Sequence, residues 1–392
     1  MDNEGSMTQW RIPFTRVHFT GRELEYMQQV MGAGQLAGDG TFARRCEKWL
    51  SQTIGCARVL LTPSGTAALE MAAILANVGP GDEVIMPSFT FASTANAFVL
   101  RGAVPVFVDV EPRTLNIDAA RVASAVTSRT RAIVPIHYGG VSADLETLGR
   151  IARDAGAMLI EDAAQALLST HRGRPIGSFG ALAALSFHQT KNVSAGEAGA
   201  LLINDPALIQ RAEVVREKGT NRSRFYRGEV DKYTWVDVGS SYLPSELVAA
   251  FLFAQLEAAA EITARRMVVW QRYHARLEEL EMAGQLVRPA PIADAGGNAH
   301  LYYVLLRCLS ERTAVIDALR EKRISAVFHY VPLHSSPAGR RYGRAAGSMA
   351  VTDDVSERLL RLPLWPDMTA DDVDLVVDEV AAALRRTAVV GT

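Results

Sequence analysis

Cysteine is scarce in this sequence of 392 residues, which contains only Cys46, Cys56 and Cys308. None of them belongs to a CxxC motif or to a Cys/His cluster, which argues against a disulfide framework and a structural zinc site. We therefore expect no metal site and a reducing compartment. The first 13 residues contain neither a basic segment nor an apolar one, as a secretory signal would require. These absences together predict a cytoplasmic protein.

Long apolar runs and an excess of one charge are also missing. The longest uncharged run, residues 84–100, is interrupted by proline, serine, threonine and asparagine, whereas a membrane-spanning helix needs ~20 mostly apolar residues. Lys and Arg number 41 against 43 Asp and Glu, so the net charge is −2. Nucleic-acid binding usually requires a basic excess. We expect neither a membrane nor a nucleic-acid partner.

What the sequence does contain is a regular alternation of apolar runs and amphipathic stretches over its first 220 residues. This alternation favours a mainly parallel sheet covered by helices on both faces. Asp144 and Gly156 flank one predicted helix, as an N-terminal cap and a C-terminal glycine do. The predicted strands cover residues 59–61, 83–86, 104–108, 132–136, 158–160, 182–187 and 200–203.

The rest of the chain predicts a second, smaller unit. Residues 244–280 have one long helical pattern, and the proline- and glycine-rich stretch 289–297 follows. A strand over 301–306, a helix over 310–321, a strand over 324–328 and two final helices are then expected. We predict an α/β chain with a large domain in residues 1–250, including an N-terminal arm. Residues 251–392 would form a connector helix and a small α+β domain.

Two of the predicted strands lead into segments that suit a phosphorylated, flat ligand. Ser64, Gly65 and Thr66 lie between a strand and a helix, where free N–H groups of a helix N-terminus bind anions. The same three residues also suit an ordinary helix start. Phe91 follows the next strand and can stack on a planar ring or pack in the core. Ligands of parallel sheets bind at these carboxyl ends.

Two further strand ends carry ionisable groups. Asp162 ends an apolar strand, where a buried carboxylate requires a cation or a strong donor; with Gln165 it also resembles a helix capping box. Lys191 follows another strand and can carry a Schiff base, although an isolated lysine is more often solvated. Ser186 can donate to a phosphate or be a small core residue.

The four segments together match the needs of pyridoxal 5′-phosphate. This cofactor requires a lysine for its Schiff base and an acidic partner for its ring nitrogen. An ionised carboxylate keeps that nitrogen protonated, which makes the ring an electron sink. A helix N-terminus suits the phosphate. No single segment is specific, but the ordered set predicts this cofactor.

Longer segments resemble the DegT/DnrJ/EryC1/StrS family of pyridoxal-phosphate sugar aminotransferases over essentially the whole chain. They read LLTPSGTAALEMAA, GDEVIMPSFTFASTANAFVLRGA, EDAAQ, SFHQTKN, REKGTNRSRFYRGEVDKYTW and VFHYVPLHSSPAG. The resemblance implies an aspartate-aminotransferase-like fold (fold type I) with a mainly parallel, seven-stranded sheet in the large domain.

The same resemblance implies roles for individual residues. Lys191 would hold the cofactor and shuttle a proton, and Asp162 would pair with the ring nitrogen. Gln165 would contact the ring hydroxyl, and Phe91 would stack on the ring. The phosphate would be held by Gly65, Thr66 and Ser186. A homodimer is implied, in which Ser241 stands where many members have an asparagine that reaches the partner's phosphate.

The resemblance also implies a reaction in two halves. L-Glutamate would convert the cofactor to pyridoxamine 5′-phosphate and leave as 2-oxoglutarate. The amino group would then pass to C4 of the nucleotide sugar dTDP-4-dehydro-6-deoxy-D-glucose, giving dTDP-4-amino-4,6-dideoxy-D-galactose for cell-surface polysaccharide biosynthesis. The candidate substrate-binding residues are Arg222, Arg224 and Tyr233 in a basic, aromatic stretch, and His329, Tyr330 and His334 in the small domain.

Four alternatives stay open at this point. An aminotransferase acting at C3, or on a GDP- or UDP-linked sugar, is separated from this expectation by the resemblance alone. A dehydratase of the same fold would have a histidine at the position of Lys191. A non-catalytic regulatory protein would not need both Lys191 and Asp162. A nicotinamide dehydrogenase would show GxGxxG after the first strand, which this sequence lacks.

Overall fold

The computed structural model describes residues 10–291 and 296–390, and these form thirteen strands and fifteen α-helices. The strands are β1 Arg58–Thr62, β2 Glu83–Pro87, β3 Val104–Val108, β4 Thr130–Ile133, β5 Met158–Asp162, β6 Thr170–His171, β7 Arg174–Pro175, β8 Leu182–Ser186, β9 Gly199–Ile203, β10 Tyr302–Leu305, β11 Val327–Phe328, β12 Arg344–Ala345 and β13 Leu359–Leu362.

The helices follow the chain order in the same way. They are α1 Glu23–Ala33, α2 Thr41–Ile54, α3 Gly65–Leu75, α4 Ala92–Val99, α5 Ala119–Ala125, α6 Leu145–Asp154, α7 Ile209–Arg216, α8 Arg222–Tyr226, α9 Glu246–Glu257, α10 Ala259–Arg276, α11 Glu278–Met282, α12 Leu309–Glu321, α13 Pro337–Tyr342, α14 Ala350–Arg358 and α15 Ala370–Val390.

A large mixed sheet organises the first part of the chain, in the order β1-β9-β8-β5-β4-β2-β3-β12. Every neighbouring pair from β8 to β12 is parallel, and β9 is antiparallel to both β1 and β8. The seven predicted strands are all present, which confirms the mainly parallel sheet. The eighth, β12, comes from the second half of the chain and has only two residues, too few to show a pattern.

Burial on both faces explains why these strands read as continuous apolar runs. Successive side chains of a strand point to opposite faces. Accordingly, Ala183 and Leu185 of β8 pack in one core with α2 and α9. Leu182 and Ala184 pack in another core with α3 on the opposite face. The helices therefore cover both sides of the sheet and leave the strand ends accessible.

The predicted single helix over 244–280 is wrong, because the chain bends by 60° between α9 and the helical segment beginning at Ala259. Helix α9 packs in the core of the large sheet, and α10 packs against α15. Two different packing surfaces thus require the bend. Among the described residues no single helix is long and apolar enough to cross a membrane, although α9 joined to the following segment would pass by length and composition.

The C-terminal part is built on a three-stranded antiparallel sheet in the order β10-β13-β11. Its central strand β13 was not predicted, because its run of leucines also suits a helix. Leu360 and Leu362 of β13 pack in a core with α10, α12 and α15, and Ile12 of the N-terminal segment joins that core. The predicted turn over 289–297 falls partly on residues 292–295, outside the described part.

The division into two domains remains a prediction. The boundary expected between residues 250 and 251 falls inside α9. Ala249, Ala250 and Leu252, on both sides of it, pack in the core beneath the large sheet. This packing favours a boundary after α9.

Candidate active site

The carboxyl ends of the parallel strands open into a cavity of about 820 Å³ between the large sheet and the C-terminal part. Residues from ten separate segments of the chain line it, and nine of these residues were predicted from the sequence. These nine are Gly65, Thr66, Phe91, Asp162, Gln165, Ser186, Lys191, His329 and Tyr330. The fold thus brings together side chains that are up to 265 positions apart in the sequence.

Lys191 follows β8 in a tight turn, in which its backbone N–H donates to the His188 carbonyl at 2.9 Å. Burial lowers the pKa of its amine to about 8, although the charge of Asp162 acts in the opposite direction. In the described part of the chain, the amine has no hydrogen-bond partner. An ordinary solvated lysine is therefore excluded, and about a tenth of the amine is neutral and nucleophilic at pH 7, far more than for a lysine in water.

Asp162 ends β5 and is almost fully buried at the cavity. One carboxylate oxygen, Oδ2, accepts from Thr94 Oγ1 at 2.8 Å, and Thr94 shares a second hydrogen bond with Thr90 at 2.9 Å. The other oxygen, Oδ1, accepts from the Ala164 N–H at 3.2 Å. No helix begins here, so the capping-box interpretation is wrong.

Gln165 connects the large sheet to the C-terminal part at the cavity. Its Oε1 accepts from the Gly139 N–H at 2.7 Å, and its Nε2 donates to the Tyr330 hydroxyl at 3.0 Å. These two bonds fix the amide beside Asp162. A polar substituent of a ring bound in the cavity would contact the Gln165 amide.

An anion-binding geometry exists where α3 begins. Ser64 caps the helix, with its Oγ accepting from the Ala67 N–H at 3.1 Å, and Thr66 Oγ1 donates to Ser93 Oγ at 2.9 Å. Gly65 lies so close to β8 that an added Cβ would be 2.9 Å from the Cβ of Ser186. The helix N-terminus and Ser186 therefore lie side by side at the cavity, where both can contact one phosphate.

Phe91 lies at the mouth of the same cavity and is 63% exposed. The interpretation as a core residue is therefore wrong. An aromatic ring, a buried carboxylate, a partly neutral lysine and an anion cradle surround one space. This donor set fits pyridoxal 5′-phosphate.

Sequence reasoning missed a buried pair directly behind Asp162. Glu161 is fully buried, accepts from the Gly177, Phe179 and Gly180 N–H groups, and lies 3.2 Å from His137 Nε2. Burial alone would raise the pKa of Glu161, but His137 and the N–H groups hold that pKa below its ordinary value. The EDAAQ segment contained the signal, since two successive carboxylates end an apolar strand.

Sequence reasoning also missed three residues that line the cavity from the C-terminal part. Burial lowers the pKa of His300 well below its ordinary value, and its Nδ1 lies 3.0 Å from Asn192 Oδ1. Arg266 donates to three backbone carbonyls, and burial lowers its pKa to about 9. Arg361 interrupts the leucines of β13 and projects into the cavity. An arginine within an apolar strand was the available signal for it.

Five predicted residues do not line the cavity within one chain. Arg222 pairs with Glu217 at 3.6 Å, and Arg224 pairs with Glu229 at 3.1 Å. The remaining three are Tyr233, whose ring packs on Phe225, Ser241, which is exposed, and His334, whose Nδ1 lies 2.7 Å from Ser88 Oγ. Their roles in binding stay predictions.

Comparison with known proteins decides the family. The sequence profile of the DegT/DnrJ/EryC1/StrS aminotransferase family matches residues 18–381. The chain belongs to this family. It is 32% identical over 378 residues to the spore coat polysaccharide biosynthesis protein SpsC of Bacillus subtilis (strain 168), covering 94% of this chain and 96% of SpsC.

Solved structures of this DegT-family fold agree with the architecture. The aminotransferase TlmJ from Streptoalloteichus hindustanus is 30% identical with a TM-score of 0.87, covering 97% of this chain and 100% of TlmJ. The Spr1654 protein of Streptococcus pneumoniae, solved in its pyridoxal-phosphate form, superimposes with a TM-score of 0.87 at 24% identity, covering 96% and 99%.

This DegT-family chain is therefore an enzyme, an aminotransferase that uses pyridoxal 5′-phosphate. Family membership removes the nicotinamide dehydrogenase and the non-catalytic regulatory protein from the alternatives. Lys191, present in the cavity, agrees with transamination rather than with a histidine-bearing dehydratase.

Proposed function

We propose that this enzyme transfers the amino group of L-glutamate to C4 of the nucleotide sugar dTDP-4-dehydro-6-deoxy-D-glucose. The products are 2-oxoglutarate and dTDP-4-amino-4,6-dideoxy-D-galactose, a precursor for cell-surface polysaccharide. The observation that carries the transamination is the amine of Lys191, buried in the cavity with a pKa of about 8 and opposite the carboxylate of Asp162.

When bound, pyridoxal 5′-phosphate supplies an electron sink for the carbon that exchanges its amino group. Lys191 Nζ would hold the cofactor, and its amine, with a pKa near neutral pH, suits the proton transfers at the donor carbon. Asp162, oriented by Thr94, keeps the ring nitrogen protonated through its negative charge. The N-terminus of α3 with Gly65, Thr66 and Ser186 would hold the phosphate, and Phe91 would cover the ring.

The nucleotide-sugar substrate is supported by the residues of the cavity and by the sequence resemblance. His329 and Tyr330 line the cavity from the C-terminal part, where a sugar ring next to Lys191 would lie. Burial holds the pKa of His329 well below its ordinary value, so its imidazole is neutral and can donate or accept one hydrogen bond.

We further propose a cytoplasmic homodimer, in which Ser241, Arg222, Arg224 and Tyr233 act on the partner's cavity. The support is an exposed aromatic surface around these residues, which a single chain leaves uncovered. Its members are Phe225, Tyr226, Tyr233, Trp235, Val236 and Val238. The same stretch, residues 216–235, also has five cations that are at least partly exposed against three acidic residues, an excess of positive charge that suits an anionic nucleotide; the cations are Lys218, Arg222, Arg224, Arg227 and Lys232.

The test follows the visible absorption band of the cofactor held by Lys191 in the purified holoenzyme. We expect the band to fall when L-glutamate is added alone and to return when dTDP-4-dehydro-6-deoxy-D-glucose is added. Nuclear magnetic resonance of the product then distinguishes the axial C4 amine of the galacto sugar from its equatorial epimer. The Lys191→Ala variant, as the control, should show neither change.

Other acceptors separate the substrate from the reaction class. A band that returns only with a GDP- or UDP-linked 4-keto sugar, or with a 3-keto sugar, would retain the aminotransferase and reject the proposed acceptor. A band that no amino donor diminishes would reject the proposed donor half-reaction.

A further inference from the structure

We propose that Arg361 binds a carboxylate group of the amino donor. This inference deepens the proposed function, because its donor is L-glutamate, but it does not depend on which sugar accepts the amino group. Nothing in the predicted set of site residues assigns a partner to the donor's carboxylates.

The alternation of strand β13 places Arg361 in the cavity. Leu360 and Leu362 point into the core of the C-terminal part, so Arg361 between them must point to the other face. That face contains Tyr138 and Tyr303 and borders the cavity. Because β13 is the central strand of its sheet, the backbone of Arg361 is held on both sides.

The guanidinium of Arg361 has few partners of its own. It offers five N–H donors, yet the described residues give it one hydrogen bond, from Nη2 to the Phe328 carbonyl at 3.2 Å. Its Nε is buried without a hydrogen-bond partner. The centroid of the Phe14 ring lies 4.7 Å from Cζ, a cation–π contact that supplies no anion.

Arg361 is half-buried, and the two described arginines that are almost fully buried, Arg216 and Arg266, are compensated. Arg216 pairs with Glu47 at 2.7 Å and with Asp39 at 3.0 Å. Arg266 donates to three carbonyls. In the part of the chain that the structure describes, Arg361 has no acidic partner within 4 Å, although removing a cation from water without an anion is costly. An incoming anion would provide the missing compensation.

The position of Arg361 favours a carboxylate of the donor. Its charge is close enough to lower the pKa of the Lys191 amine. An amino-acid donor has a carboxylate on the carbon that carries its reacting amine, so this carboxylate must come close to Lys191. A nucleotide sugar instead has its phosphates on C1, across the ring from C4. The flat fork of a guanidinium binds a carboxylate through two parallel hydrogen bonds.

The first measurement uses the Arg361→Gln holoenzyme and follows the two half-reactions separately. We expect the half-saturating L-glutamate concentration to rise about 10- to 100-fold, since a charge-assisted hydrogen-bonded pair is lost. The half-saturating concentration of the acceptor sugar should not change. Arg361→Lys should restore part of the donor affinity, because it retains the charge but not the fork. Arg320→Gln, on the exposed face of α12, is the matched control.

The second measurement does not depend on activity. Calorimetry of the cofactor-free protein with glutarate, an unreactive dicarboxylate, should show binding that Arg361→Gln weakens and Arg320→Gln does not. In the wild-type protein, glutarate should also protect Arg361 from an arginine-specific dicarbonyl reagent, as read by mass spectrometry. This last experiment needs no variant to fold.

Comparison of L-glutamate with L-alanine as donor tells which carboxylate is bound. If Arg361→Gln weakens the affinity for both donors, Arg361 binds the α-carboxylate. If it weakens the affinity for L-glutamate alone, Arg361 binds the side-chain carboxylate. Unchanged glutarate binding in Arg361→Gln, absent protection of Arg361, or a defect confined to the acceptor half-reaction would overturn the inference. If the enzyme does not aminate the proposed dTDP sugar, the inference about Arg361 still stands, because the donor half-reaction proceeds without an acceptor.

Discussion

At the scale of single residues, the reactivity of Lys191 depends on three neighbouring effects. Burial lowers the pKa of its amine to about 8, the negative charge of Asp162 raises it, and the positive charge of Arg361 lowers it. The two charges therefore act in opposite directions on one amine, and their removal provides a matched pair of variants.

We expect the Lys191 amine of the cofactor-free protein to become reactive as pH rises through about 8, well below the 10.5 of an ordinary lysine. Arg361→Gln should raise this midpoint, and Asp162→Asn should lower it. The measurement is the rate of Lys191 acylation against pH, read by mass spectrometry. If the midpoint pH moved in the same direction in both variants, the electrostatic explanation would be wrong.

The buried carboxylate of Glu161 fixes the end of β5 on which Asp162 lies. In Glu161→Gln, a neutral amide with one acceptor oxygen replaces a carboxylate that has three N–H donors and His137 as neighbours. We expect the free energy of unfolding to fall by about 1–3 kcal/mol in urea at neutral pH, because buried N–H donors lose their charged acceptor.

The pH dependence of that effect has a definite sign. The pKa of Glu161 is lowered in the folded protein. The stability that its carboxylate contributes is therefore fully present above pH 4.5, the ordinary pKa, and is lost as the pH falls through the folded pKa. The difference between wild type and variant should narrow in acid. Glu146→Gln, in an exposed pair with Arg172, is the control and should cost less than about 1 kcal/mol.

At the scale of elements, the start of α3 shows how a turn residue sets a binding site. Gly65 has no room for a side chain, because Ser186 of β8 and the Leu185 carbonyl lie against it. The helix N-terminus thus approaches β8 closely enough for both to contact one phosphate.

We expect Gly65→Ala to weaken pyridoxal 5′-phosphate binding by at least about tenfold, because the added Cβ displaces the helix start from β8. Titration of the cofactor-free protein, followed by its visible absorption, measures this dissociation constant. Gly32→Ala in α1 is the control, because its Cβ would meet open space. Equal affinity in both variants would rule out the close approach as the cause.

At the scale of the whole molecule, β12 ties the C-terminal part to the large sheet. Its two residues pair with β3, and Arg344 donates to the buried Glu83 carboxylate at 3.1 and 3.0 Å. Nearby, the Leu333 N–H donates to the Ser88 carbonyl at 3.1 Å. The segment that carries His329 and Tyr330 is therefore held against the strand ends.

Arg344→Ala should lower the free energy of unfolding by about 1–3 kcal/mol, because Glu83 loses two charge-assisted bonds while Arg129 remains bound to it. Urea unfolding measures the change, and Arg340→Ala on the exposed surface of α13 is the matched control. An unchanged stability would show that Arg129 alone compensates Glu83.

The exposed aromatic surface predicts the oligomeric state. We expect sedimentation at twice the chain mass of 42.5 kDa, and dissociation on replacing Tyr226 and Trp235 by serine. Val268→Ser, at an exposed apolar position on α10, should leave the mass unchanged. A monomeric wild-type protein would contradict the proposed homodimer.

Local patterns were sufficient where one segment determines its own structure. Asp144 caps α6 as predicted, by accepting from the Thr147 N–H, and Gly156 adopts the left-handed conformation after the helix. The seven strands of the large sheet were predicted because burial on both faces gives each of them an apolar run. Strand β13 was missed because its leucines suit a helix equally well.

The sequence by itself determined the parallel sheet, the cofactor and the order of Gly65, Asp162 and Lys191 at strand ends, because these follow from local periodicity and residue chemistry. Only the tertiary structure decided the bend after α9, the addition of β12, and the entry of His300 and Arg361 into the cavity. Those features depend on packing between segments distant in sequence, and no local pattern contains that information.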